Sequence, residues 1–483
     1  MEPHGRLILF TFLHGFLLLC MNTPLESATL PSCDTFGNET DRLALLDLKK
    51  RITQDPLHVM SSWNDSVHFC NWVGVTCNRC TKRVVILKLT AQKLAGSLPK
   101  SIGNLSHLTG IDLMNNSFAG EIPQEIGRLG SLRSLNLSRN SFGGKIPRAI
   151  PNWIGNFSYL HNLYLGRNNF RGSIPNELGR LTRLAEFGIP LNNLFGIVPS
   201  SIYNISSITT FDVTGNQLHG ELPPNVDISL PNLEVFYCGM NNFTGAIPAS
   251  WSNSSRLGYL DCSENGLTGT LPAENLGRLR SLVSINFSRN KLGSGKAGDL
   301  NFFSFLANCT GLENLGLDHN HFGGELPRSI ANLSTQLKYL YLAGNFIHGS
   351  IPEGIGNLTS LALLAMNNNY FSGSVPDAIG KLQKLQELNM DVNKFSGPIP
   401  SSLGNLTSLI TLRININRFE GSIPPSLGNC QSLLTLDVSN NRLTGTIPRE
   451  IFGISSLSVS LRISNNSLTG SLPSEVGAGC VRK

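Results

Sequence analysis

The sequence predicts an α/β repeat fold: a right-handed solenoid with a parallel β-sheet on its concave face and an N-terminal cap closed by a helix and a disulfide. Three observations predict it. The first is the stretch Leu433–Pro448, LLTLDVSNNRLTGTIP, whose frame L-x-x-L-x-L-x-x-N-x-L-x-G-x-I-P recurs from about residue 84 almost to the end. The second is the spacing of its Asn position, which is 24 or 25 residues except from Asn140 to Asn168 and from Asn290 to Asn320. The third is composition. Charged residues make up 14% of the 483-residue chain, against roughly 25% in average proteins, so the surface is built from amides and hydroxyls. A globular chain of this length would split into domains, whereas an array grows its core along one axis.

The N-terminal segment reads as a secretory signal over residues 1–28. Arg6 precedes an apolar run from Leu7 to Cys20, and small residues follow at Ser27 and Ala28. That run is shorter than the roughly 20 residues a membrane span needs, and no other segment approaches a transmembrane length. The formal net charge of +6 is small, with no run of five basic residues, so a nucleic-acid partner has no electrostatic footprint.

Residues 29–82 come before the array and read as its cap. Thr40 or Asp41 is placed to cap a helix whose Leu45, Leu48 and Ile52 form one buried stripe. SSWNDSVHFCNWVGVTC follows, in which Cys70 and Cys77 suit a short disulfide loop accompanied by Trp63 and Trp72. A solenoid leaves its first strand open, and such a cap covers it. The chain has ten cysteines; nine follow the signal, so at least one is unpaired or bridges chains. Cys33, Cys80 and Cys480 have no evident partner.

Residues 83–476 hold about sixteen repeats and a partial one, before a divergent tail at 477–483. The L-x-L segment is a short strand with inward leucines. The Asn at Asn116, Asn140, Asn168 and onward to Asn466 then turns inward, where its amide can satisfy turn backbone groups. This period belongs to leucine-rich repeats. In L/F-x-G-x-I-P the Gly permits a tight backbone and the Pro ends the extended run.

Those residues resemble the plant-type extracellular leucine-rich repeat. FGNETDRLALLDLKKRITQDP, SSWNDSVHFCNWVGVTC and the inserted GDLNFFSFLANCTGL (Gly298–Leu312) are similar to the ectodomain of immune-type receptor kinases, the group that includes the flagellin and elongation-factor receptors. The resemblance implies perception of a peptide or protein ligand in plant defence, a co-receptor leucine-rich-repeat kinase as second partner, and a secreted or cell-surface location. The array stops in its seventeenth repeat and kinase motifs are lacking, so a truncated ectodomain without its own kinase is expected. An alternative is a soluble inhibitor of microbial cell-wall enzymes like the polygalacturonase inhibitors; another is a non-functional receptor fragment.

Candidate chemistry is sparse and no enzyme is inferred. Gly293, Gly295 and Gly298 spell G-x-G-x-x-G, but they fall in a repeat turn rather than a βαβ unit. His319 and His321 flank Asn320 beside Asp318 and straddle a turn, so neither metal nor cofactor is expected. Cys238 and Cys262 share a core slot in adjacent rungs and are expected to be free thiols; Cys309 and Cys430 replace core leucines. Sequons at Asn38, Asn64, Asn104, Asn115, Asn136, Asn156, Asn204, Asn242, Asn253, Asn286, Asn308, Asn332, Asn357, Asn405 and Asn465 point to a heavily glycosylated surface.

Binding is expected on the outward strand positions. They gather aromatic and acidic character at Tyr164, Glu186, Asp212, Tyr237, Tyr259 and Asp261, with Tyr339 and Tyr341 farther on. Tyrosine is favoured at binding hot spots, and carboxylates beside it suit a ligand carrying Lys or Arg.

Overall fold

A computed structural model describes residues 38–143 and 149–472. The signal segment 1–28, Cys33, the tail 477–483 and Cys480 lie outside the described residues. The helix Glu39–Arg51 buries Ala44, Leu45 and Leu48. Its expected cap is corrected. Asn38 precedes the helix without a side-chain cap bond, and Asp41 lies inside the first turn, fully buried. There Asp41 accepts Arg83 Nε at 3.0 Å and Nη2 at 2.8 Å, and the Val84 N–H at 2.8 Å. A carboxylate held by a forked guanidinium and a backbone donor ties the helix to the first strand of the array. Ile52, assigned to the helical stripe, instead opens the strand Ile52–Gln54, antiparallel to Ala95–Gly96.

The Trp63 and Trp72 rings stack at 5.3 Å. Their indole N–H groups donate to Val73 O at 2.9 Å and Asn64 O at 3.0 Å, so both bury without losing a polar contact. Cys70 and Cys77 are bonded. The strand Val75–Cys77 that follows pairs antiparallel to Val84–Lys88, which closes the open end of the sheet.

From Val84–Lys88 the sheet runs parallel in single file, one strand per repeat, to Ser460–Arg462. From Gly110–Asp112 to Thr435–Asp437 each strand is three residues, with the middle one buried and its neighbours outward, as for Val235–Tyr237. Parallel strands buried on one side need an apolar middle residue at every rung, and Leu163, Phe187, Phe211, Phe236 and Leu260 supply it.

The asparagine row forms as expected. Asn345 donates from Nδ2 to Leu317 O, Leu342 O and Ala343 O at 3.0–3.2 Å and accepts the Phe322 N–H at 3.1 Å. Each such Asn therefore joins its own turn to the one before it. The residue before it is left-handed nearly throughout, including Arg139, Arg167, Glu264, Val392 and Ile416 at φ near +55°. Spacing alone did not predict this, because the strain serves to aim the next amide inward.

After each ladder Asn a second short strand pairs with its neighbours on the flank. This flank breaks into three sheets among the described residues, and the breaks fall at the two irregular spacings, after Ser141–Phe142 and after Lys291–Leu292. At the second break the insertion folds on Asp299. Its carboxylate accepts the N–H groups of Ser294, Gly295 and Gly323 at 2.8–3.0 Å and Ser294 Oγ at 2.7 Å. Burial acts to raise the Asp299 pKa, but these hydrogen bonds outweigh it and hold the carboxyl below the usual range. The amides that a phosphate would need in Gly293–Gly298 are thus occupied by the chain's own carboxylate.

Cys238 and Cys262 are free and buried. The thiols of Cys309 and Cys430 reach Leu279 O and Leu403 O at 3.4 Å, so both serve the core. Cys80 is free and half-buried.

Candidate ligand-binding face

Six of the eight expected residues fall on consecutive strands. Along the first outward row Asn162, Glu186, Thr210, Val235 and Tyr259 are register partners; along the other, Tyr164, Gly188, Asp212, Tyr237 and Asp261. Tyr237 therefore stands between two carboxylates, with Tyr259 one strand along. Tyr339 and Tyr341 belong to a strand three rungs past Tyr259–Asp261, about 14 Å away at ~4.8 Å per strand. The expected face is thus two clusters, separated by Ser284–Asn286 and Asn314–Gly316.

Small neighbours let the tyrosines lie down. A Cβ on Gly188 would come within 3.1 Å of the Tyr164 ring, and Tyr341 is flanked by Gly316 and Ala365. Tyr259 is 38% exposed, whereas Tyr164, Tyr237, Tyr339 and Tyr341 are half-buried. Burial, then the charges of Asp261 and Asp212, raises the Tyr237 pKa; burial, then Glu387 and Asp318, raises that of Tyr341. Both phenols stay protonated and able to donate.

The carboxylates are half-buried and partly engaged. Asp212 accepts the Thr214 N–H at 3.0 Å. Asp261 accepts Ser263 N at 2.8 Å and Oγ at 2.6 Å, and Asn286 Nδ2 at 3.2 Å. Burial pushes Asp212 up to about 6, against the Thr214 hydrogen bonds and with a small contribution from Asp261. Burial also raises Asp261, with the Ser263 and Asn286 bonds opposing it. Two raised carboxyls beside a protonated phenol make a site that gains most from a cation.

Ser263, Thr214 and Asn286 were not among the expected site residues. The signal was present, since Asp212-x-Thr214, Asp261-x-Ser263, Asn286-x-Ser288 and Asp437-x-Ser439 share one spacing. The first side chain of each accepts the N–H two residues on. This corrects a sequon. Asn286 is 8% exposed, and its amide is spent on Ser288 N and Asp261, so no room remains for a glycan. Asn136 holds the same strand position, is half-buried and accepts the Ser138 N–H. By contrast Asn104, Asn156, Asn332, Asn357 and Asn405 end exposed 3₁₀ turns away from this face.

The two histidines do not converge. His319 Nδ1 lies 2.8 Å from Asp318 Oδ2, while the His321 ring stacks on Phe346 at 5.8 Å on the flank. Among the described residues no group of three His, Cys, Asp or Glu is placed to hold a metal. No helix there is long and apolar enough to cross a membrane.

Comparison with known proteins agrees with the fold. Residues 83–313 and 300–423 match the leucine-rich repeat region family, and 38–78 match the leucine rich repeat N-terminal domain. The LRR receptor-like serine/threonine-protein kinase EFR of Arabidopsis thaliana is 45% identical over 68% of this chain and 36% of its own length. Receptor kinase-like protein Xa21 of Oryza sativa is 46% identical over 19% of this chain and 9% of its own. The chain thus spans about a third or less of these relatives. Among solved structures, the plant peptide hormone receptor RGFR1 in complex with RGF2 aligns with a TM-score of 0.72 and 32% identity, over 82% of this chain and 65% of that one. The Arabidopsis receptor kinase HAESA, in complex with the peptide hormone IDA and the co-receptor SERK1, aligns at 0.63 and 28%, over 92% and 88%.

Proposed function

Since this chain belongs to the leucine-rich repeat family and is homologous to plant receptor-kinase ectodomains, we propose that it is an extracellular receptor-like module that binds a peptide or protein along its sheet and catalyses nothing. The observation that carries this reading is Tyr237 set between Asp212 and Asp261, with exposed Tyr259 beside it. None of these side chains is required by the repeat frame, and together they fit an extended ligand with Lys or Arg over the Tyr237 ring. Tyr164 and Glu186 extend the site toward the cap, and Tyr339 with Tyr341 form a second contact point. The likeness to the HAESA complex supports a co-receptor as further partner, and a role in defence at the cell surface rests on the resemblance of the cap and insertion sequences to immune-type receptors. Secretion, the domain limits and glycosylation at the exposed sequons belong to the same proposal.

The test is direct. The secreted chain is screened against microbial peptide extracts and a peptide array graded in charge. Tyr237→Ala, Tyr259→Ala and Asp261→Ala together should abolish capture of basic peptides while the melting curve keeps its cooperativity. Unchanged capture by the folded triple variant would move the site elsewhere.

A further inference from the structure

The flank strands carry a feature that the concave site does not use. The position just after each ladder Asn is Ser, Asn, Gln or Gly on most rungs of the first half, as at Ser117, Asn169, Gln217 and Gly266. In the second half it becomes His321, Phe346, Tyr370, Lys394, Arg418 and Arg442 on consecutive rungs. The first three rings stack in file, at 5.8 Å from His321 to Phe346 and 6.3 Å from Phe346 to Tyr370. Lys394 Nζ lies over the Tyr370 ring at 4.8 Å. Phe346 and Tyr370 are 43% and 46% exposed, so the stack serves no buried core. The core has its own aromatic file one residue on, at Phe371, Phe395 and Phe419.

Lys394, Arg418 and Arg442 are exposed, and no salt bridge joins them to an acid among the described residues. Two carboxylates stand on these flank strands: Glu420, the register partner of Arg442, and Glu325, 3.9 Å from His348 at the aromatic end. Around Lys394, Arg418 and Arg442 three cations face only Glu420, and with the aromatic strip they form a linear cationic track. The only sequon at this position, Asn242, lies on an earlier rung, so the track carries no glycan acceptor.

From this row we infer a binding track for an extended acidic polysaccharide, a polyuronate whose carboxylates meet Lys394, Arg418 and Arg442 and whose sugar C–H faces pack on Phe346 and Tyr370. Aromatic edges and faces recognise pyranose rings through apolar C–H contact, and guanidinium forks take carboxylates bidentately. A polyuronate has both the charge and the apolar ring faces; a phosphopeptide or a nucleic acid has the charge with different geometry.

The intact chain, expressed with its glycans, is titrated with polygalacturonate, with neutral galactan and with a single-stranded oligonucleotide at fixed salt. Polygalacturonate should bind and neutral galactan should not. Lys394→Ala, Arg418→Ala and Arg442→Ala together should weaken binding about tenfold or more and flatten its salt dependence. Phe346→Ser with Tyr370→Ser should weaken polygalacturonate several-fold, and Glu420→Gln should tighten it. All these side chains are exposed, so unaltered melting curves confirm folding. Absence of polygalacturonate binding, indifference to the triple variant, or equal affinity for the oligonucleotide would each overturn the assignment. Tyr237→Ala serves as the control that leaves this track intact.

Discussion

The buried asparagine row and the outward strand row lie four residues apart on the same turns, yet they obey opposite rules. Every Asn in the first row answers the same demand, because each turn leaves a backbone N–H that only its side chain reaches, as at Phe322, and carbonyls that take a second donor, as at Leu317 and Ala343. The outward row answers no such demand. Its side chains change from Tyr237 to Asp261 to Asn286 to Gly316 without disturbing the register. A repeat scaffold can therefore vary its ligand face freely because the backbone is satisfied from behind.

The largest effect should come from breaking the buried row. Asn345→Ala removes four hydrogen bonds from a residue only 4% exposed. The Phe322 N–H is left unpaired while three carbonyls each lose one of two donors, which should cost about 3–5 kcal/mol, read by urea denaturation, with hydrogen exchange rising first in the turns around Leu317 and Leu342. If the loss is under about 1 kcal/mol, the row is not what holds the turns.

Asp299→Ala should cost somewhat less, about 2–3 kcal/mol, because one carboxylate serves three amides at the insertion. Its pH signature has a definite sign. The folded pKa is depressed, so its stabilisation is present above the unfolded value near 4 and is lost as pH falls through the folded one. The variant should lose this acid sensitivity.

A smaller and opposite effect is expected at Ile416, a β-branched residue at φ 54°. Ile416→Asn should stabilise by about 1 kcal/mol, since Asn tolerates the left-handed region. A lowered melting temperature would mean that the isoleucine packs usefully despite its strain.

The outward row should show the least change in stability and the most in binding. Asp212→Asn should alter the melting free energy by under about 1 kcal/mol at neutral pH. The acid's folded pKa is raised to about 6, so the proton is held more tightly folded than unfolded. Its contribution is therefore greatest at low pH and declines as pH rises from near 4 to about 6. Capture of basic peptides should strengthen over that same interval in the parent chain and less steeply in Asp212→Asn, where Asp261, also raised by burial, still titrates.

Much of this was legible in the amino acids themselves. The period, the inward leucines, the ladder Asn and the cap with Trp63, Trp72, Cys70 and Cys77 all follow from local pattern, because each repeat meets only its neighbours. The outward positions were legible by the same count. The same count sets Tyr339 and Tyr341 three rungs past Tyr259, where the structure has them; how deeply Asp212 and Asp261 are buried was not legible.

Tertiary structure alone decided the rest. Asp41 reads as a helix cap and proves to be the partner of Arg83, 42 residues on. Asn286 reads as a glycan site and proves to be a backbone and carboxylate partner. A glycine motif reads as a repeat turn, and only the structure shows that Asp299 holds its Ser294 and Gly295 amides. In each case the residue type advertises what it can bond, but only packing decides which donor or acceptor arrives. The sequence by itself determined the solenoid, because one short rule repeated along the chain satisfies the backbone. The fate of each polar side chain waited on its neighbours in space.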